Sequence, residues 1–160
     1  MGVQPEPGAA AVATPAHEPG SVGRAAAWLS KQVELALGGV ELSLPQYRVL
    51  GVLAEGASMP SALAERLTVR RPTVTAVVDG LEIRGLVQRT PGGVDKRSVT
   101  HTLTPKGQRL LAKANAAVDA RLLDIASCLD DPALTRQALD GLVLWRVAMR
   151  AYHSAKAAPL

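Results

Sequence analysis

The spacing of hydrophobic residues predicts long amphipathic helices at both ends of the chain. In residues 22–40, 111–129 and 134–152 the apolar side chains recur every three or four positions, which is the period of one helical face. The first 20 residues instead carry four prolines among glycine and alanine, and we expect a disordered tail there. The apolar positions are Val22, Ala26, Leu29, Val33, Leu37 and Val40, then Leu111, Ala114, Val118, Leu122, Ile125 and Leu129, and finally Leu134, Ala138, Leu142, Trp145, Met149 and Tyr152.

Shorter helices are predicted between these segments from their capping residues. Ser43 and Gln46 have the spacing of a capping box, which starts a helix that should end near Glu55. Ser58 is expected to cap a short helix, and a tight turn at 68–70 follows it. The next helix should run from near Pro72 to Arg84, with apolar positions Val74, Val77, Val78, Leu81 and Ile83, and it should end at Gly85.

The hydrophobic period changes between residues 86 and 103. Apolar and polar residues alternate there on both sides of the Pro91-Gly92-Gly93 sequence, a pattern that predicts a β-hairpin. Thr104-Pro105 and Asp131-Pro132 then mark the starts of two further helices, each with a capping residue followed by proline.

The order of helix, short helix, turn, helix and hairpin is typical of a winged helix-turn-helix. We therefore predict a mainly α (α+β) fold with a small β-hairpin wing and a helical dimerisation region formed by the N- and C-terminal helices. The expected parts are a tail at 1–20, an N-terminal dimerisation helix at 21–42, a DNA-binding region at 43–106 and C-terminal dimerisation helices at 107–156. A second copy of the chain could cover the apolar terminal helices, or they could pack on each other within one monomer.

Positive charge is concentrated in the middle of the chain. The net charge is +4, and residues 60–106 alone carry 8 basic and 4 acidic side chains, whereas residues 1–59 carry 3 and 5. Such a local basic surface suits a polyanion, although a solvated face without a partner would have the same composition. The single cysteine excludes an internal disulfide, and no signal peptide or membrane span is recognised, so a cytoplasmic protein is expected.

Seven short motifs follow one another along residues 42–108. They are Leu44–Leu50, Leu63–Leu67, Pro72–Thr75, Val78–Glu82, Gly85–Val87, Asp95–Ser98 and Leu103–Gly107. As an ordered set they resemble the MarR family of regulators. The resemblance implies a homodimer that binds pseudo-palindromic double-stranded DNA in the cytoplasm, associated with the nucleoid when bound. It also implies repression as the commoner behaviour, and often a small aromatic or phenolic effector that releases the DNA.

The helix at 72–84 is the expected recognition helix of the DNA-binding region. Arg70 and Arg71 at its start would lie near phosphates or base edges. Thr73 and Thr75 are short enough to lie in the major groove, although helix capping and packing would explain them equally simply. Further phosphate contacts are expected from Arg84 and Arg89.

The wing is expected to reach the adjacent minor groove. Arg97 is the candidate to enter the groove, because a narrow groove concentrates negative potential, and a solvated hairpin arginine is its alternative. Lys96 is expected to make a further DNA contact. Asp95 is expected to orient a wing arginine through a charged hydrogen bond. Ala76 and Gly80 stand where the family commonly has long basic residues, so specificity should depend more on the wing and on DNA shape.

An effector pocket could be lined by Trp28, Tyr47 and Arg48, although the two aromatic side chains could simply fill the core. No catalytic, metal-binding or cofactor-binding motif is recognised, so an enzyme is not expected. Cys128 is expected to be a buried structural cysteine, with redox sensing as the alternative. The last alternative is a winged helix that makes protein contacts only.

Overall fold

The computed structural model describes residues 18–56, 59–91 and 99–157 of the 160-residue chain. Residues 1–17 of the tail predicted at 1–20, the predicted cap Ser58 and the wing tip at 92–98 lie outside the described residues. Within them six helices and one two-stranded sheet follow in the order α1 Ser21–Gly38, α2 Leu44–Ala54, α3 Pro60–Leu67, α4 Arg71–Ile83, β1 Val87–Pro91, β2 Val99–Leu103, α5 Pro105–Ala126 and α6 Pro132–Ala157.

The predicted capping signals start the helices at the expected places. Ser43 Oγ accepts a hydrogen bond from the Gln46 N–H, and Gln46 Oε1 accepts one from the Ser43 N–H at 3.0 Å, which confirms the capping box of α2. Thr104 Oγ1 accepts from the Gly107 N–H at 3.0 Å and caps α5. These bonds satisfy backbone donors that a helix start otherwise leaves without partners.

Helix α4 ends as the sequence predicts, in a left-handed glycine. Gly85 has a φ of +68°, and its N–H donates to the Glu82 carbonyl at 2.8 Å. The Leu86 N–H reaches back to the Leu81 carbonyl at 2.9 Å, and both leucine side chains are buried. This pair of bonds is a Schellman motif, and it turns the chain from α4 directly into the wing.

The predicted hairpin is present as an antiparallel pair of strands. Val87 pairs with Leu103 at its base and Pro91 with Val99 at the far end of the described part. His101 on β2 is buried, whereas Gln88, Arg89 and Thr90 on β1 are exposed, so β1 leaves the core directly after the buried Val87.

The core lies where α2, α3, α4 and the base of the wing meet α1 and α5. Leu37, Leu50, Leu63, Leu81 and Leu86 have almost no solvent exposure. Helix α5 packs on α1 and α2, so it joins the N-terminal helix to the winged helix-turn-helix. Ile83, expected on the apolar face of α4, is 88% exposed instead, because the helix rotates it away from the core in its last turn.

The terminal helices leave much apolar surface uncovered in the single chain. Helix α6 contacts α5, and an ion pair between Arg150 and Glu55 ties it to the end of α2. The exposed apolar side chains of the terminal helices α1 and α6 include Val22, Trp28, Leu35, Val143, Leu144, Trp145, Val147, Met149 and Tyr152. No helix in the described ranges combines the length and the hydropathy needed to cross a membrane.

Candidate nucleic-acid interface

Helices α3 and α4 are joined by a three-residue turn at 68–70, as the sequence predicts. Thr68 has a φ of +55°, an uncommon conformation for a β-branched residue. Its N–H donates to the Glu65 carbonyl at 3.0 Å, and the Val69 N–H donates to the Ala64 carbonyl at 3.0 Å. The turn therefore ends α3 sharply and lets α4 leave in a new direction, as a helix-turn-helix requires.

The first turns of α4 present polar side chains to solvent and apolar side chains to the core. Arg70, Arg71 and Thr73 are exposed, while Val74 is 1% exposed and Val78 is also buried. Arg70 occupies the N-cap position of α4 and makes no side-chain capping hydrogen bond. Within the described residues, neither arginine forms an ion pair, and both guanidinium groups are available to an external anion.

Thr75 is also exposed on α4, and its hydroxyl already has a partner. Thr75 Oγ1 donates to the Arg71 carbonyl at 3.1 Å, one helical turn earlier. Its donor proton is therefore used inside the helix, and the methyl group is the part of the side chain left for an apolar contact.

Arg89 on β1 connects the wing to α4. Its guanidinium pairs with Asp79, and its Nε lies 2.9 Å from Glu82 Oε1. The phosphate contact expected of Arg89 stays a prediction, and the structure adds a second role that the sequence did not suggest. The two carboxylates lie three residues apart on α4, so both can meet one arginine of the adjacent strand.

The C-terminal end of α4 is held by polar contacts to two other helices. Arg84 Nη1 donates to Gln46 Oε1 of α2 at 3.3 Å, and Lys106 Nζ of α5 donates to the Arg84 carbonyl at 2.7 Å. The sequence predicted neither contact, although it indicated the capping role of Gln46. Contacts between residues this far apart in sequence have no local signal.

Asp95, Lys96 and Arg97 lie outside the described residues, so their expected roles stay predictions. The described part of the wing shows only where this segment starts and ends, after Pro91 and before Val99.

The three residues expected to line an effector pocket make separate contacts. Tyr47 Oη donates to Asn115 Oδ1 of α5 at 2.8 Å, whereas Arg48 Nη2 donates to the Leu67 carbonyl at the end of α3 at 2.9 Å. Burial, and secondarily the negative charge of Asp119, raises the pKa of the Tyr47 phenol above its usual value. Trp28 lies on α1 with 73% of its surface exposed.

Cys128 is exposed, so the expectation of a buried cysteine is wrong for this chain. The residue follows the end of α5, where its Sγ donates to the Asp124 carbonyl at 3.6 Å. The apolar pattern of α5 does not continue as a buried face to this point: Leu123 and Leu129 are exposed as well.

Known proteins are similar to this chain in sequence and in fold. A sequence profile of the MarR family matches residues 40–98. The HTH-type transcriptional repressor Rv2887 of Mycobacterium tuberculosis is 35% identical over 104 residues, which cover 62% of this chain and 75% of the repressor. The chain belongs to the MarR family.

Other MarR relatives agree in sequence over a shorter span. The HTH-type transcriptional regulator Mb0904 of Mycobacterium bovis is 38% identical over 90 residues, which cover 56% of this chain. The same alignment spans 63% of that regulator's own length. The relatives are named as transcriptional regulators, in agreement with the prediction that the chain is a regulator and not an enzyme.

Solved structures of regulators share the fold. The transcriptional repressor CouR bound to a 23-mer DNA duplex superposes with a TM-score of 0.67 and 29% identity, over 81% of this chain and 89% of CouR. CouR from Rhodococcus jostii RHA1 bound to p-coumaroyl-CoA gives a TM-score of 0.62 and 28% identity, over 76% and 85%. The predicted MarR-type winged helix-turn-helix is thereby confirmed.

Proposed function

We propose that this MarR-family protein is a transcriptional repressor that binds operator DNA through α4 and the wing. The observation that carries the proposal is the pair Arg70 and Arg71, which are exposed at the start of α4 and have no carboxylate partner among the described residues. The helix N-terminus adds partial positive charge at the same place, and DNA phosphates are the anions that such a site favours. The similarity to a DNA-bound repressor supports the same use of the fold.

Base readout would come from the exposed face of α4. Thr73 and Thr75 are the side chains that can meet base edges, and the free methyl group of Thr75 suits a thymine methyl. Ala76 is exposed and carries no polar group, so the helix offers few direct contacts. Specificity then depends on the wing and on the shape of the DNA.

The wing would read the flanking minor groove. In this proposal Arg97 enters the groove, Lys96 contacts the backbone and Asp95 orients a wing arginine. Arg89 holds β1 against α4 through Asp79 and Glu82, which sets the angle between the wing and the recognition helix. Arg84, partly buried, remains a candidate phosphate contact.

The binding form would be a homodimer in the cytoplasm, associated with the nucleoid on its operator. The uncovered apolar side chains of α1 and α6 favour a second copy as the surface that buries them. A two-fold axis would place the two recognition helices about 34–36 Å apart, one turn of DNA. Pseudo-palindromic operators follow from that symmetry.

A small aromatic ligand is part of the proposal as the signal that releases DNA. CouR, which is similar in structure, binds p-coumaroyl-CoA. The proposed ligand contacts remain Trp28, Tyr47 and Arg48. To bind the ligand, Tyr47 would have to give up its hydrogen bond to Asn115, and Arg48 its hydrogen bond to the Leu67 carbonyl. Ligand binding would act by favouring a separation of the two recognition helices that cannot span both half-sites.

The test uses a labelled DNA pool selected by genome-wide mapping of bound sites. The R70A/R71A variant should bind this DNA more weakly than the unaltered protein. The slope of its log affinity against log salt should be smaller in magnitude by about 1.8, because each lost phosphate contact removes about 0.9. R136A/R146A removes two exposed charges from α6 and is the matched control. Unchanged affinity and slope in R70A/R71A would refute the assignment of α4, and no salt-dependent binding by the unaltered protein would favour protein contacts only.

The exposure of Cys128 favours redox sensing as a second candidate function. An accessible thiol is the first requirement of a redox-sensing cysteine. Peroxide should then lower the DNA affinity of the protein and leave that of Cys128→Ser unchanged. An equal response of the two proteins to peroxide would rule out sensing through this residue.

A further inference from the structure

A cleft lined by basic side chains lies between the loop after α1 and the first turns of α5. We name it the basic cleft; its lining includes Arg84 from the end of α4 and Lys106, Arg109 and Lys113 from α5. Glu41 is the acidic side chain of the lining, so four cations and one carboxylate leave a net charge of +3. Its volume is about 510 Å³, which is far larger than a water site.

The charges of the basic cleft are not neutralised by the rest of the described protein. Arg84 donates to the neutral Gln46 amide oxygen and Lys106 to the Arg84 backbone carbonyl, and neither partner carries a charge. Arg109 and Lys113 are exposed and form no ion pair with any described carboxylate. Because like charges repel, gathering four cations around one cleft is favoured when an anion occupies it.

The spacing of the cations follows from the helix that carries most of them. Lys106, Arg109 and Lys113 are separated by three and four residues, so they lie along one face of α5. The helix dipole of α5 adds partial positive charge at the same end. One ligand can therefore meet several donors at once.

The floor of the basic cleft is apolar. Leu86 is 1% exposed, Val40 is 7% exposed and Leu110 is partly buried, and all three belong to the lining. A bare inorganic ion would leave these surfaces and most of the volume unused. The lining suits a molecule with an apolar body and a strongly charged group.

We infer that the basic cleft binds a small organic anion that carries a phosphate group beside an apolar body. A phosphate ester supplies close to two negative charges and three acceptor oxygens, which match the uncompensated donors. The cleft is distinct from the proposed effector site, because it includes none of Trp28, Tyr47 and Arg48. The inference stands without the proposed DNA binding, since the site is complete in a single chain.

The test is calorimetry on the full chain with phenyl phosphate and phenyl sulfate at pH 8 and low salt. The two probes have the same aromatic body and nearly the same shape, but the phosphate carries about two charges and the sulfate one. We expect one phenyl phosphate per chain and binding of phenyl sulfate weaker by about tenfold, the usual value of one charge-assisted contact. Absence of saturable phenyl phosphate binding, or equal affinity for both probes, would overturn the inference.

Variants locate the binding. R109A/K113A removes two exposed cations of the basic cleft, and R136A/R146A removes two exposed cations of α6 as the matched control, with circular dichroism used to verify that both fold. The first variant should weaken phenyl phosphate binding by about a hundredfold, about tenfold for each lost cation, and the control should leave it unchanged. Equal affinities of the two variants would refute the site.

DNA supplies phosphate groups too, and a separate measurement distinguishes the two sources. If R109A/K113A reduces the salt slope of DNA binding by about 1.8 while the unaltered protein does not bind phenyl phosphate, these cations contact DNA and the inference is wrong. If phenyl phosphate binds and the salt slope is unchanged, the inference is supported. The result with R70A/R71A is independent of both, so the proposed function and this inference can fail separately.

Discussion

Replacing Gly107 with alanine should destabilise the protein at the junction between α4 and α5. A Cβ at this position would lie 2.0 Å from the Leu86 carbonyl oxygen and 3.0 Å from its carbonyl carbon. Ordinary contact begins near 3.4 Å, so the start of α5 and the Leu86 carbonyl would have to separate by about 1.4 Å. Both partners are backbone in the core, and neither can rotate away.

That separation would disturb a small network of hydrogen bonds. The Thr104 N–H donates to the Leu86 carbonyl at 3.1 Å, and Thr104 Oγ1 donates to the Gly85 carbonyl at 2.7 Å. Two lost hydrogen bonds cost about 2 kcal/mol in the free energy of unfolding. Overpacking adds about 1–3 kcal/mol, and the better helix propensity of alanine returns about 1 kcal/mol. The expected net loss is about 2–4 kcal/mol.

Urea unfolding monitored by circular dichroism measures this change, at one protein concentration because a dimer unfolds in a concentration-dependent way. Gly51→Ala is the matched control: it is the same substitution inside α2, and its Cβ would meet no atom within 4 Å. The control should be neutral or more stable by up to about 1 kcal/mol. A Gly107→Ala protein as stable as Gly51→Ala would refute the packing argument.

Three further predictions concern the turn, the buried phenol and the apolar helices. Thr68→Gly should stabilise the protein by up to about 1 kcal/mol in urea unfolding, because it relieves a β-branched residue at a φ of +55°; a lower stability would contradict this. Folding raises the pKa of Tyr47, so its contribution to stability is complete below the unfolded pKa of about 10 and is lost as pH rises through the folded value. A phenolate absorbance titration of the protein minus that of Tyr47→Phe should show a transition above pH 10 in the native state and near 10 in urea, and identical transitions would disprove it. Leu144→Asp on α6 should change the sedimentation coefficient from that of a dimer to that of a monomer. Glu65→Ala, a control substitution at an exposed position of α3, should leave the dimer intact. A dimeric Leu144→Asp protein would argue against α6 as the interface.

Local signals in the sequence predicted most of the elements. The capping box at Ser43, the cap at Thr104 and the glycine at 85 act on neighbouring backbone groups, so the residues alone place the ends of α2, α4 and α5. The alternation around residues 86–103 likewise predicted the hairpin, because pairing register follows from the two-residue period.

Contacts between distant segments had no such signal. The ion pairs of Arg89 with Asp79 and Glu82, and the bond of Lys106 to the Arg84 carbonyl, depend on how the wing and α5 lie against α4. Cys128 was wrongly predicted to be buried for the same reason, because the burial of a side chain is decided by neighbouring elements and not by helical period.

The sequence by itself determined that this chain is a MarR-type winged helix-turn-helix with a basic middle segment. Helix caps, glycine turns and hydrophobic periods are properties of a few consecutive residues, and they do not depend on how the helices and strands pack against one another. Only the tertiary structure decided which charges are paired: Arg89 meets two carboxylates, whereas Arg70, Arg71, Arg109 and Lys113 meet none among the described residues. Charge compensation depends on distances of a few ångströms between separate elements, and those distances exist only once the chain has folded.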